Sequence, residues 1–116
     1  MKTALITGAS QGIGAAIAYE LNNNKIKVIL VSRSKKKLKS IQNNLRHPKN
    51  SFIIAKDLRS LSACNDIGKK IKRLNYLINV AGATKGGKFL NLKDNIWEDG
   101  FNLKFKAAVR LSRALW

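Results

Sequence analysis

Four short apolar runs rich in β-branched residues punctuate the chain: Thr3-Ala4-Leu5-Ile6-Thr7, Lys27-Val28-Ile29-Leu30-Val31, Ser51-Phe52-Ile53-Ile54-Ala55 and Tyr76-Leu77-Ile78-Asn79-Val80. Runs of this kind predict strands covered on both faces. Between them, apolar residues recur every three or four positions, which predicts helices. The first helix spans Gly12 to Asn22, with Ile13, Ala16, Ile17 and Leu21 on the inner stripe, and Asn22-Asn23-Asn24 ends it. The second spans Lys35 to Leu45 with Leu38, Ile41, Gln42 and Leu45 inward; Pro48 closes that unit because it cannot continue a helix. The third spans Ser60 to Arg73 through Leu61, Cys64, Ile67 and Ile71. After a loop containing Gly86-Gly87, Asp94 is expected to cap a last helical region bearing Trp97, Phe101, Phe105, Val109 and Leu111 to Leu115. Strands alternating with helices imply βα units around a parallel sheet. No helix-stopping residue follows Leu115, so the chain is expected to break off inside a helix.

At 116 residues there is room for one domain, here read as a single incomplete unit over 1–116. With 45% hydrophobic and 25% charged residues the chain suits a packed globular protein. No apolar stretch reaches the roughly 18 residues that cross a bilayer. The apolar start, Ala4-Leu5-Ile6, is interrupted by Gly8, Gly12 and Gly14 before it forms a signal segment. Cys64 is the single cysteine, which excludes an internal disulfide and fits a cytoplasmic location. Its helical register makes it a small buried filler. His47 stands alone, and no metal site can be assembled around it.

Charge is the outlying property: 23 Lys+Arg against six Asp+Glu give +17. The cations are spread from Lys2 to Arg113, and the dense runs, Lys35-Lys36-Lys37 and Lys69-Lys70, fall on solvated helix faces. Weak, salt-sensitive adhesion to polyanions is expected in place of specific nucleic-acid binding.

Chemistry concentrates between the first strand and the first helix, in Thr7-Gly8-Ala9-Ser10-Gln11-Gly12-Ile13-Gly14. Glycines so placed permit a tight turn, let backbone N–H groups approach a pyrophosphate and let helix and strand pack closely. The helix N-terminus adds unpaired N–H groups and a partial positive charge.

The chain resembles the short-chain dehydrogenases/reductases, whose glycine motif Thr-Gly-x-x-x-Gly-x-Gly is matched by Thr7, Gly8, Gly12 and Gly14. Asn79-Val80-Ala81-Gly82 is similar to the family's Asn-Asn-Ala-Gly after strand four, and Asp57, followed by Leu58, stands where the family places an Asp against the adenine ring. The resemblance implies a Rossmann-like, doubly wound α/β fold with strand order 3-2-1-4, cut off after about four strands and the following helix. It also implies that Gly8, Ser10, Gln11, Gly12, Ile13, Gly14, Ser32, Arg33, Asp57, Leu58, Asn79, Ala81 and Gly82 bind a dinucleotide cofactor. For Asn79 the expected part is structural, pinning neighbouring loops.

Cofactor choice turns on the end of strand two. An acidic residue there would hold ribose hydroxyls and repel a 2′-phosphate, whereas an Arg accommodates it. Ser32-Arg33-Ser34 stands there, so NADP(H) is favoured over NAD(H).

Family chemistry moves a hydride between nicotinamide and a carbonyl or alcohol carbon, with a Tyr supplying the proton and a Lys four residues on lowering its pKa. The only tyrosines here, Tyr19 and Tyr76, are followed at that spacing by Asn23 and Val80. A further family Asn, seven residues past the Trp of the last helix, is replaced by Lys104. The expectation is the cofactor-binding half of an NADP-dependent carbonyl reductase, silent alone, acting on a small carbonyl or alcohol substrate only when completed. A homo-oligomer or a partner chain would cover its apolar surfaces. The alternatives are a non-catalytic dinucleotide-binding module assembling with another chain, and a basic nucleic-acid-associated protein.

Overall fold

A computed structural model describes residues 1–82 and 86–116. The four apolar runs become β1 (Thr3–Thr7), β2 (Lys27–Ser32), β3 (Ser51–Ala55) and β4 (Tyr76–Ile78), all parallel, in the order β3-β2-β1-β4. Leu5 pairs with Ile29 and with Leu77 across the two sides of β1, and Leu30 pairs with Ile53. Alternate residues feed two cores. Leu5, Ile29, Val31 and Ile54 pack on one side with Cys64, Ile67, Ala107 and Leu111, while Ile6, Val28 and Leu30 pack on the other with Ala18, Leu38 and Leu45. Burial on both faces is what an unbroken apolar strand requires.

The helices are α1 (Gly12–Asn23), α2 (Lys35–Asn44), α3 (Leu61–Lys70), α4 (Asp94–Phe101) and α5 (Ala107–Leu115). Ser34 caps α2 by accepting from the Lys37 N–H at 3.2 Å, and Ser60 caps α3 by accepting from the Ala63 N–H at 3.3 Å. Asp94 does not cap: Lys93 holds that position without a side-chain hydrogen bond, and Asp94 sits in the first turn, where its charge still complements the helix dipole. A π turn, Asn102–Lys106, joins α4 to α5.

Two expectations about packing need correction. Ile13 is not on the inner face of α1 but 72% exposed; the buried positions are Gly14, Ala15, Ala18 and Asn22. Small residues face the sheet because α1 lies close against the loop from which it starts. Strand four is also shorter than its apolar run, for a reason set by Thr7 described below. The last helical region is covered on one face, where Ala107 and Leu111 are buried and Gly68 of α3 packs against Ala114. Its other face leaves Trp97, Phe101, Phe105 and Val109 exposed.

Asn22 does more than end α1. Fully buried, it accepts from the His47 N–H at 2.8 Å and donates to the His47 carbonyl at 3.0 Å, tying α1 to the connection between α2 and β3. Among the described residues no helix is long and apolar enough to cross a membrane.

Candidate functional site: the glycine-loop notch

The C-terminal ends of the four strands open into a notch of about 340 Å³ lined by Gly8, Ser10, Gln11, Gly12, Ile13, Ser32, Arg33, Lys56, Leu58, Val80, Ala81, Gly82 and Leu103. Crevices beyond the carboxyl ends of parallel strands are where open α/β sheets bind ligands.

Each glycine of the loop is required for a different reason. Gly8 has φ +65°, and a Cβ there would lie 2.9 Å from both Cα and N of Ala81. Gly12 also has positive φ, +57°, but faces open space on the notch side. Gly14 is pressed against the carbonyl of Gly8, which lets α1 begin directly behind the loop. Gln11, at the N-cap, makes no side-chain cap hydrogen bond, so the first N–H groups of α1 are left for another acceptor.

Thr7 joins the two central loops. Its buried hydroxyl oxygen accepts from the backbone N–H groups of Val80 and Ala81, each at 3.0 Å. Those donors are thereby drawn out of the sheet ladder, and β4 stops at Ile78. The wall formed by Val80, Ala81 and Gly82 is held against the glycine loop in consequence.

On the other side, Ser32 and Arg33 stand at the end of β2. Ser32 Oγ is buried with no hydrogen-bond partner among the described residues, and Arg33 is exposed with no carboxylate paired to it there. Among the described residues no Asp or Glu lines the notch.

Three of the expected residues are not on its surface. Gly14 lies behind the loop. Asp57 is occupied elsewhere: one carboxylate oxygen accepts from the Arg59 N–H at 3.1 Å and the other lies 3.8 Å from the Arg59 guanidinium. Arg59 Nε in turn lies 3.2 Å from Asp99 on α4, near enough for an ion pair but not aligned for a hydrogen bond. Asn79 is exposed and opens onto a separate cavity with Leu77, Ser112 and Leu115, because alternation along the β4 line sends it to the opposite side from Val80. Conversely, Lys56, Val80 and Leu103 line the notch without having been named among the cofactor-binding residues, Val80 only as part of the motif around Asn79. Lys56 has a sequence signal, since it follows β3 as Arg33 follows β2; Leu103 depends on tertiary packing alone.

Lys104 stands at the edge. A Cβ on Gly82 would lie 2.7 Å from Lys104 Cγ, so the lysine stem lies across Gly82 and its residue lines an adjoining apolar cavity with Trp97 and Phe101. Tyr19, on α1, packs half-buried against the core, and Tyr76 is exposed on β4 under the Lys2 ammonium, 5.7 Å from the ring centre; neither lines the notch. A larger groove of about 930 Å³ runs along the exposed side of α4 and α5, where Trp97, Phe101 and Phe105 stand among charged residues, and it lies apart from the glycine loop.

The family model described as short chain dehydrogenase matches residues 2–116. The chain belongs to the short-chain dehydrogenase family. The 3-oxoacyl-(acyl-carrier-protein) reductase of Rickettsia typhi is 38% identical over 112 residues, which are 97% of this chain and 46% of that protein. The 2,3-dihydro-2,3-dihydroxybenzoate dehydrogenase of Bacillus subtilis is 30% identical, over 98% of this chain and 46% of its own. Among solved structures, a short-chain dehydrogenase from Sphingobium yanoikuyae in complex with NADPH superposes with a TM-score of 0.88 at 31% identity, covering 99% of this chain and 47% of the other. The chain thus spans a little under half the length of these relatives, and its α/β fold with strand order 3-2-1-4 is the short-chain dehydrogenase fold.

Proposed function

We propose that this chain is the dinucleotide-binding half of an NADP(H)-dependent carbonyl reductase and is catalytically silent by itself. The observation that carries the reading is the glycine-loop notch, lined by the uncapped start of α1, by Ser32, whose hydroxyl has no partner among the described residues, and by Arg33, with no carboxylate among the described lining residues. A negatively charged dinucleotide fits that donor set: α1 would receive the pyrophosphate and the end of β2 the adenosine side. Arg33 favours a 2′-phosphate over bare ribose hydroxyls. The relatives solved with NADPH support the same preference.

A bound reduced nicotinamide supplies hydride to a carbonyl carbon. The oxygen left negative then needs a proton from an acid within hydrogen-bond reach. Tyr19 and Tyr76 are both away from the notch, and Lys104, lying across Gly82, has no tyrosine beside it to tune. The chain's own residues therefore bind and orient, and proton delivery falls to groups outside it. The exposed Trp97, Phe101, Phe105 and Val109 favour assembly with a second copy or a partner chain, and the protein is read as cytoplasmic.

Titration calorimetry with NADP(H) and NAD(H), together with a ketone-reduction assay on the same preparation, tests this reading. Binding that favours NADP(H) without turnover is expected. Absence of dinucleotide binding, or steady ketone turnover, overturns it.

A further inference from the structure

Lys56 lies one residue beyond β3. Its backbone N–H donates to the Ser32 carbonyl at 2.9 Å, and the residue lines the notch together with Ser32 and Arg33. Its ammonium is 3.4 Å from Asp66 Oδ2 on α3, with the two side chains 39% and 51% exposed. The strand order places the glycine loop of β1 in the middle of the notch, the ends of β2 and β3 to one side and that of β4 to the other. A dinucleotide held by its pyrophosphate at α1 can bring only one of its nucleoside ends to Lys56, the same end that Ser32 and Arg33 face. The acid nearest in sequence, Asp57, is turned to Arg59, so Asp66 is the carboxylate that engages this lysine.

We propose that Lys56 is a specificity-determining residue: with Arg33 it holds an anionic group on the ribose at that end, a 2′-phosphate, and Asp66 competes with that group for the ammonium. The inference deepens the dinucleotide reading and rests on it. An exposed carboxylate pair is weak, and a phosphate carrying nearly two charges outcompetes a single carboxylate. A lysine approaches phosphate as a point charge on a flexible stem, so it can leave Asp66 without a fixed geometry being lost.

Calorimetry on the 116-residue chain with NADP⁺ and NAD⁺ separately reads this role. Lys56→Ala is expected to weaken NADP⁺ about three- to fivefold and leave NAD⁺ unchanged, with Lys56→Arg retaining most of the affinity. Asp66→Asn should strengthen NADP⁺ about twofold, an effect that fades as salt rises. This second variant reads the competition from the opposite direction and does not depend on Lys56→Ala folding. Equal losses for both dinucleotides, or no change in NADP⁺ affinity in either variant, overturn the role of Lys56. A preference that Arg33→Ala removes and Lys56→Ala leaves intact overturns this inference alone, whereas a wild-type chain that binds neither dinucleotide overturns the dinucleotide reading with it.

Discussion

Gly14 packs its α-carbon against the carbonyl of Gly8, leaving no space for a methyl group. The neighbour is backbone and cannot swing aside as a side chain would. Gly14→Ala is therefore expected to cost about 2–3 kcal/mol of stability, at the upper end of overpacking penalties, and to push α1 off the glycine loop. Urea unfolding measures the first effect and loss of dinucleotide binding the second. Gly12→Ala, strained in φ but facing open space, should be milder in stability.

Thr7 holds the Val80–Ala81 wall through one hydroxyl. Thr7→Val keeps the shape but leaves two N–H donors without their acceptor, at an expected cost of about 1–3 kcal/mol. Thr7→Ser should recover most of it. Equal stability of the valine and serine variants in chemical denaturation would show that the bonds contribute little.

Arg33 is open to solvent, so its removal should leave the fold intact. Arg33→Ala is expected to lower NADP(H) affinity about tenfold, as loss of a charge-assisted contact to phosphate does, with little change for NAD(H). Calorimetry at two salt concentrations checks both the preference and its electrostatic origin.

Burial pushes the Cys64 thiol above its ordinary pKa, with the charge of Arg110 opposing in part. The folded chain consequently keeps a proton that the unfolded chain gives up. The stability from this group is complete below the unfolded thiol's pKa and is lost as pH rises from about 8.5 toward the raised folded value. Modification by a thiol reagent at neutral pH should be slow in the native chain and fast in urea.

The parallel sheet and the position of the notch are legible because β1 and β2 are apolar at their centres and the glycines follow β1 directly, whereas the strand order follows from the family resemblance. Helix facing was harder. Ile13 looked like the start of an inner stripe, yet the demand that Gly14 meet Gly8 turns α1 so that small residues face the sheet and Ile13 faces water. The end of β4 was hidden for a similar reason: its apolar run continues through Val80, and only the Thr7 hydroxyl, far away in sequence, takes the donors that would have prolonged the ladder. Asp57 does not line the notch; its carboxylate accepts from the Arg59 N–H and lies 3.8 Å from the Arg59 guanidinium, a pairing two residues apart.

The wide turn from Asn102 to Lys106 holds one residue more than an α-helix would use over the same rise. Rewinding that turn as regular α-helix, with no residue removed, would swing everything beyond it by about 100°. Leu111 would leave its seat beneath the sheet and Val109 or Arg110 would sweep toward it, so this small slack in the helix sets which side of α5 meets the protein and which meets the world outside.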